Sequence, residues 1–389
     1  MGAPGKLGLI LTGGGARAAY QVGVLKAIAE FFPQCTRNPF SIICGTSSGS
    51  LNAAALAVHS HSLHRGVRYL LEVWTQSHVN LVYRTDFVGV LKKVMHWLLG
   101  LILSGIGINK LRKVALLDNT PMVSLLKAAL PYENIQKNID AGNLYALSIT
   151  ASAYSSGYSV TFYQGAKSVV PWTRARRVGI PTRIAGEHLL ASSAIPLIFP
   201  AVLIDHEYFG DGAMRQQAPL SAALHLGATR LLIIGFGQGE TRQPSPADTS
   251  NYPSLGEIFG HVMDSVFLDG MVADLERMQR INHTIEMLAE DSQQNINMQH
   301  VDFLVIEPSQ PIEEIAHRHV MSLPWTIRFL LRGFGVMRRS GASLVSYLLF
   351  EKSFCCEIIE LGYQDALKKR QEIYAFINQR DEASQGCSQ

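Results

Sequence analysis

Apolar and polar positions change period repeatedly along the first half of the chain. KLGLILT (Lys6–Thr12) and FSIIC (Phe40–Cys44) are short apolar runs of strand length. The segments that follow them, AAYQVGVLKAIAEFF and SLNAAALAVH, carry small and apolar residues at helical spacing. Strand and helix in alternation predict an α/β protein, with a mostly parallel central sheet between two helical layers, α/β/α. Further strand-like runs are LYALSITASAY, YSVTFYQG, AVLIDHEYF, ATRLLIIGF and VDFLVIEP, which extend the sheet to about residue 308.

Between the last two of these runs, GQGETRQPSPADTSNYPS reads as a surface loop, because Gly, Pro, Ser and Thr dominate it. The next segment, LGEIFGHVMDSVFLDGMVADLERMQRINHTIEML, repeats apolar residues at 255, 258, 259, 262, 263 and 266 and is expected as one long amphipathic helix. Because a strand returns at Val301, no boundary is placed there. The expected organisation is an α/β/α domain over residues 1–310, with a C-terminal helical extension over 311–389 packed on it. No internal repeat is visible.

Composition narrows the class. A chain of 389 residues with 47% hydrophobic and 17% charged residues buries a sizeable core. Its formal net charge of +3 is too small for a surface that tracks nucleic-acid phosphates. Five cysteines without a CxxC pair make a poor disulfide framework and point to a reducing compartment. The start, MGAPGKLGLILTGGG, lacks the regions of a signal peptide, and neither end carries a lipidation pattern. The longest apolar segment, Val94–Ile108, is 15 residues, shorter than a membrane span. A cytoplasmic protein without a transmembrane helix is expected.

The chemistry concentrates at two strand-to-helix turns. GTSSG, Gly45 to Gly49, fits GxSxG, where a tight turn lifts the serine hydroxyl above the sheet edge. Ser47 would then stand at a helix N-terminus, where free N–H groups favour developing negative charge. An ordinary βα turn with a serine N-cap is the plainer alternative. Upstream, Gly13, Gly14 and Gly15 follow the first strand and can aim consecutive N–H groups at one anionic point, as an oxyanion hole requires. Gly13, Gly15 and Ala18 also satisfy a dinucleotide fingerprint, but no acidic residue ends the second strand to hold a ribose. Arg17 either fixes this loop or meets an anionic head group.

A nucleophilic serine needs a base. Asp211 lies in a DG turn just beyond a strand-like run, with Asp205 and Glu207 as competitors. A Ser-Asp-His order is open to His225, His261, His283, His300, His317 or His319, although none sits in a distinctive turn. The cluster His59, His61 and His64 has metal-ligand residue types in a polar stretch, which is more often a solvated surface.

GGGAR, GTSSG, ASSAIPLIFP (Ala191–Pro200) and DGA (Asp211–Ala213), in that order on an α/β frame, resemble the bacterial patatin-like phospholipase family. The resemblance implies a Ser–Asp dyad without histidine. Ser47 corresponds to the nucleophile, Asp211 to the base, and Gly13, Gly14 and Gly15 to the oxyanion loop, with Arg17 at its basic position. It also implies a hydrolase acting on phospholipid or lysophospholipid acyl esters through an acyl-enzyme. The sequence shows no calcium loop or other cofactor site, so no cofactor is expected. Ala18 and Ala213 stand where the family usually has glycine. The competing readings are a Ser-Asp-His esterase of broader specificity and a lipid-binding effector with little turnover.

Three stretches have no acidic residue: 87–117, 141–186 and 315–350. The last interleaves Arg318, Arg328, Arg332, Arg338 and Arg339 with Trp325, Phe329, Leu330 and Phe334. Basic residues beside apolar ones suit an anionic membrane surface, so peripheral membrane association is expected. In the first stretch, Asp86 to Lys113 is expected as a membrane-facing cap, with Lys92 and Lys93 before the apolar run and Lys110, Arg112 and Lys113 after it. A buried helical hairpin or a homodimer contact is the other use of such a segment.

Overall fold

The computed structural model describes residues 5–33, 37–87, 115–235, 252–287, 299–333, 335–336 and 341–379, with a few single positions between 89 and 103. The expected cap at 86–113 and the loop after β9 therefore lie largely outside the described residues.

Among the described residues ten strands form one sheet: β1 (Lys6–Leu11), β2 (Ile42–Thr46), β3 (Ala146–Ala153), β4 (Ser159–Gly165), β5 (Trp172–Arg174), β6 (Arg177–Pro181), β7 (Val202–Ile204), β8 (Glu207–Asp211), β9 (Ala228–Ile234) and β10 (Asp302–Ile306). Their spatial order is β10-β9-β1-β2-β3-β4-β6-β5, with β8 pairing to β3 and β7 to β8. The five strands from β10 to β3 run parallel. Successive residues of these strands are buried on opposite faces. Leu9 and Leu11 join one apolar cluster and Ile10 the other, as Leu232 and Ile234 oppose Leu231 and Ile233. Burial on both faces explains why these strands read as continuous apolar runs.

Two departures from the sequence pattern have local causes. AVLIDHEYF folds as the antiparallel pair β7–β8, because the chain reverses at Asp205 with φ of 51°. WTRARRVGIP, too charged to read as a strand, forms the hairpin β5–β6 around Arg176, whose φ is 55°. Short polar side chains tolerate this left-handed conformation more readily than arginine does.

The helices that matter for the site are α1 (Ala19–Phe31), α2 (Ser48–Val58), α3 (Leu63–Thr75), α4 (Thr120–Ala129), α5 (Gly186–Ser192), α6 (Leu255–Asp264), α7 (Gly270–Met287), α8 (Trp325–Gly333), α9 (Ala342–Leu348) and α10 (Lys352–Lys368). The long amphipathic helix expected from residue 255 runs without a break to Met287, α-helical except for one π-helical turn. Ser254 caps α6 by accepting from the Glu257 amide at 3.2 Å, and a π-helical turn, Ser265–Asp269, separates α6 from α7. The C-terminal helices pack against the core rather than standing apart: the buried Tyr20 hydroxyl on α1 donates to Asp365 on α10 at 3.2 Å.

Candidate active site

Ser47 and Asp211 meet because both are carried by neighbours of β3. Thr46, at the end of β2, pairs with Thr150, and Asp211, at the end of β8, pairs with Ala151. Two adjacent residues of β3 thus bring positions far apart in sequence to one sheet edge. The Ser47 hydroxyl donates to Asp211 Oδ2 at 2.6 Å, and the two residues are 1% and 0% exposed.

Ser47 has φ of 53° and ψ of −131°, a conformation unfavourable for a residue with a side chain. The surroundings hold it there. Its amide donates to Ser192 Oγ at 2.8 Å, and Ser192 in turn donates to the Thr150 carbonyl at 2.6 Å. The same ASSAIP segment fixes Asp211, whose amide donates to the Ala194 carbonyl at 2.9 Å. Asp211 Oδ1 accepts from the Ala213 amide at 3.0 Å. Burial pushes the Asp211 carboxyl up to about 7, against the hydrogen bonds from Ser47 and Ala213, which favour the anion.

The glycine loop adjoins this pair. A Cβ on Gly13 would come within 2.7 Å of Ser47 Cβ, so the loop backbone lies against the serine with no room for a side chain. Gly14 donates its amide to Ser48 Oγ at 3.2 Å. Gly15 has φ of +56°, and a Cβ there would lie 2.1 Å from the Tyr347 carbonyl oxygen. Behind the loop, Gln21 donates to the Thr12 carbonyl at 2.8 Å, Asn52 donates to Gln21 at 2.9 Å, and the Trp74 indole donates to Asn52 at 2.8 Å. This buried chain joins the loop to α1, α2 and α3.

Arg17 takes one of its two expected uses. It is 2% exposed and faces inward, with Nε donating to Ser346 Oγ at 2.7 Å and a terminal nitrogen 3.3 Å from Asp264 and 3.5 Å from Glu313. Burial opposes its charge, and Tyr347, Glu313 and Asp264 more than offset that, leaving the guanidinium pKa above its ordinary value. Those carboxylates engage the cation away from solvent, which favours the loop-fixing use over a head-group contact.

An apolar cavity of about 150 Å³ opens at Ser47, between α2, α3 and α4. Leu51, Leu70, Met122, Leu126, Ile195 and Phe199 are among its walls, while the lining residues Val73, Leu81 and Leu125 are exposed at its rim.

The other sequence candidates fall elsewhere. Asp205 is exposed at the β7–β8 turn, and Glu207 accepts from the Ser156 amide at 2.6 Å. His225 stacks on Trp172, His300 pairs with Glu286, and His319 pairs with Glu357. Among the described residues no histidine bonds to Ser47 or Asp211 in the contacts above, and no group of three or more His, Cys, Asp or Glu residues is arranged to hold a metal ion. Ser192 was not singled out by sequence reasoning; the available signal was its place among small residues in ASSAIP, between the two site motifs.

A profile of the family described as patatin-like phospholipase matches residues 9–224, more than half of the chain. The chain belongs to the patatin-like phospholipase family. No curated protein sequence matches it. Among solved structures, the crystal structure of VipD from Legionella pneumophila is similar at 12% identity, covering 96% of this chain and 68% of that one, with a TM-score of 0.31. Family membership makes this patatin-like chain a lipid acyl hydrolase by class, and the mostly parallel sheet flanked by helices agrees with that fold.

Proposed function

We propose that this patatin-like protein hydrolyses carboxylic esters of phospholipids or lysophospholipids with Ser47 as nucleophile and Asp211 as base. The observation that carries the reading is the 2.6 Å hydrogen bond from the Ser47 hydroxyl to Asp211 at the mouth of an apolar cavity. As Ser47 Oγ attacks the acyl carbonyl, Asp211 takes its proton. The negative charge that develops on the carbonyl oxygen is met by amides of the Gly13–Gly15 loop and by the N-terminus of α2. Collapse breaks the ester bond, and Asp211 returns the proton to the departing alcohol. Water then attacks the acyl-Ser47 ester with Asp211 again as base, which releases the fatty acid and restores the serine. A carboxyl held near 7 suits both directions of proton transfer at neutral pH.

The apolar cavity suits an acyl chain, because its walls offer almost no polar partner. An anionic membrane surface is the proposed partner. Trp325 and Phe329, one turn apart on α8, are 58% and 70% exposed, and Phe87 stacks on Trp325 with ring centres 5.3 Å apart. Exposed Arg332 lies on the same helix, and no acidic residue occurs between 315 and 350. Among the described residues no helix is long and apolar enough to cross a membrane. The proposed mode is therefore association with a bilayer surface.

The direct test is fatty-acid release from phosphatidylcholine, lysophosphatidylcholine and a short acyl ester. Release by the intact protein and none by Ser47→Ala is the expected result. No release from any of the three substrates overturns the enzyme reading.

A further inference from the structure

Arg17 links the glycine loop to helices that lie beyond the family-matched residues 9–224. We infer that Asp264, Ser346 and Tyr347 are positioning residues that, through Arg17, hold the Gly13–Gly15 amides in place beside Ser47. The inference rests on the proposed oxyanion role of that loop and extends it to a part of the chain that no site motif covers.

One carboxylate gathers the parts. Asp264, the last residue of α6, accepts from Tyr347 at 2.9 Å and from Ser343 at 2.7 Å, and it pairs with Arg17 at 3.3 Å. Ser346 accepts from Arg17 Nε at 2.7 Å, and the guanidinium lies 4.1 Å from the centre of the Tyr347 ring. The contact with the Tyr347 ring, combined with donors at both Nε and a terminal nitrogen, fixes the guanidinium in position. The loop is held directly as well. The Tyr347 carbonyl occupies the space beside Gly15 where a side chain would stand.

Phe267 supplies the second wall. It belongs to the π-helical turn that begins immediately after Asp264, and a Cβ on Gly13 would come within 2.8 Å of its ring. Its ring packs on Tyr347 with centres 5.1 Å apart. The extra residue of a π turn changes which way the following side chains face. Here the turn presents Phe267 to Gly13 while Asp264, just before it, faces Arg17. Gly13 and Gly15 are therefore each backed by an aromatic residue from the C-terminal half.

An oxyanion hole works only if its donors need no reorganisation when charge develops. Loosening the clamp should therefore lower turnover and leave ground-state binding nearly unchanged, because the apolar cavity touches the loop at Gly15 and takes most of its walls from α2, α3 and α4. The test uses the full-length protein with Asp264→Asn, Arg17→Lys, Ser346→Ala and Tyr347→Phe; the last two are mild enough to keep the fold if the first two do not. Three readouts are compared with the unaltered protein: kcat and KM on a soluble short-chain ester, inhibition by an alkyl trifluoromethyl ketone, and hydrogen exchange in the peptide spanning residues 12–18.

The expected result for Asp264→Asn and Arg17→Lys is a kcat lower by about tenfold to a hundredfold, with KM changed less than about twofold. Inhibition by the ketone, whose adduct carries the oxyanion, should weaken by the same factor. Exchange in residues 12–18 should quicken while β3 keeps its protection. Unchanged kcat and unchanged loop exchange overturn the inference. Faster loop exchange with unaltered kcat and inhibition overturns it too, because the clamp then has no bearing on the oxyanion. Absence of turnover in the unaltered protein counts instead against the proposed hydrolase, and loop exchange still reads the clamp.

Discussion

The Ser47 hydroxyl donates to Asp211 Oδ2 at 2.6 Å, with the two residues 1% and 0% exposed and Ser47 in the lining of the apolar cavity. A carboxylate so enclosed is poorly solvated, which raises its basicity and suits the proposed transfer of a proton from serine.

Groups that act as a unit are not additive in their loss. Ser47→Ala, Asp211→Asn and the double variant should each lose turnover by several powers of ten, on the order of 10³ or more, and the double variant should lose little beyond either single one. Steady-state hydrolysis of a soluble ester checks this. Near-normal turnover in Asp211→Asn would return the base role to one of the histidines.

Burial pushes the Asp211 carboxyl up to about 7, so the form needed as base is populated only as pH rises through that value. Activity as kcat/KM should therefore climb with pH and level off above about 7. The sign for stability is opposite. Between about 4 and 7 the folded protein holds a proton that the unfolded chain has released, so ionising Asp211 destabilises the fold as pH increases through this window. Asp211→Asn should consequently melt higher than the unaltered protein at pH 8 and lose that advantage near pH 4, with a difference on the order of a few kcal/mol. Thermal melts at the two pH values check the sign.

Ser192 accepts from the Ser47 amide and donates to the Thr150 carbonyl. Ser192→Ala leaves a buried amide at a strained residue without its partner, which costs about 1–3 kcal/mol. Turnover should fall by about tenfold or more, with KM little changed. A variant that melts lower yet turns over normally would show that Ser192 supports the fold alone.

Trp325 and Phe329 should carry binding to vesicles containing anionic lipid. Replacing both with alanine is expected to weaken sedimentation with such vesicles by about tenfold, and binding by the unaltered protein should fall with added salt. Hydrolysis of a soluble short ester should survive the change. Equal binding before and after the substitution would remove α8 from the membrane surface.

Much of this site is legible in sequence because its parts are local. GTSSG and GGG each follow an apolar run of strand length and each opens a helix, so the turns that bear Ser47 and the glycine loop are written in adjacent residues. Asp211 was readable for a similar reason, as a DG turn. What joins them is not local. The strand AVLIDHEYF had to fold back at Asp205, against an uninterrupted pattern, before β8 could lie beside β3 and carry Asp211 to Ser47. The role of Arg17 was half legible. Its charge and place beside the glycines were plain, but Asp264 and Ser346 lie 247 and 329 positions away, and nothing in their own neighbourhoods marks them. The π turn after Asp264 leaves the apolar spacing of its segment intact, so the pattern reads as one continuous helix.

Covalent labelling by an alkyl fluorophosphonate tests the central claim most directly, since it reports a nucleophilic serine without assuming a natural substrate. The alkyl chain suits the apolar cavity through which Ser47 is reached. Mass spectrometry of the digested protein should find one adduct, on the peptide that contains Ser47, and it should be lost in Ser47→Ala and strongly slowed in Asp211→Asn. A folded protein that takes no label, or takes it on a different serine at an equal rate in both variants, would contradict the account.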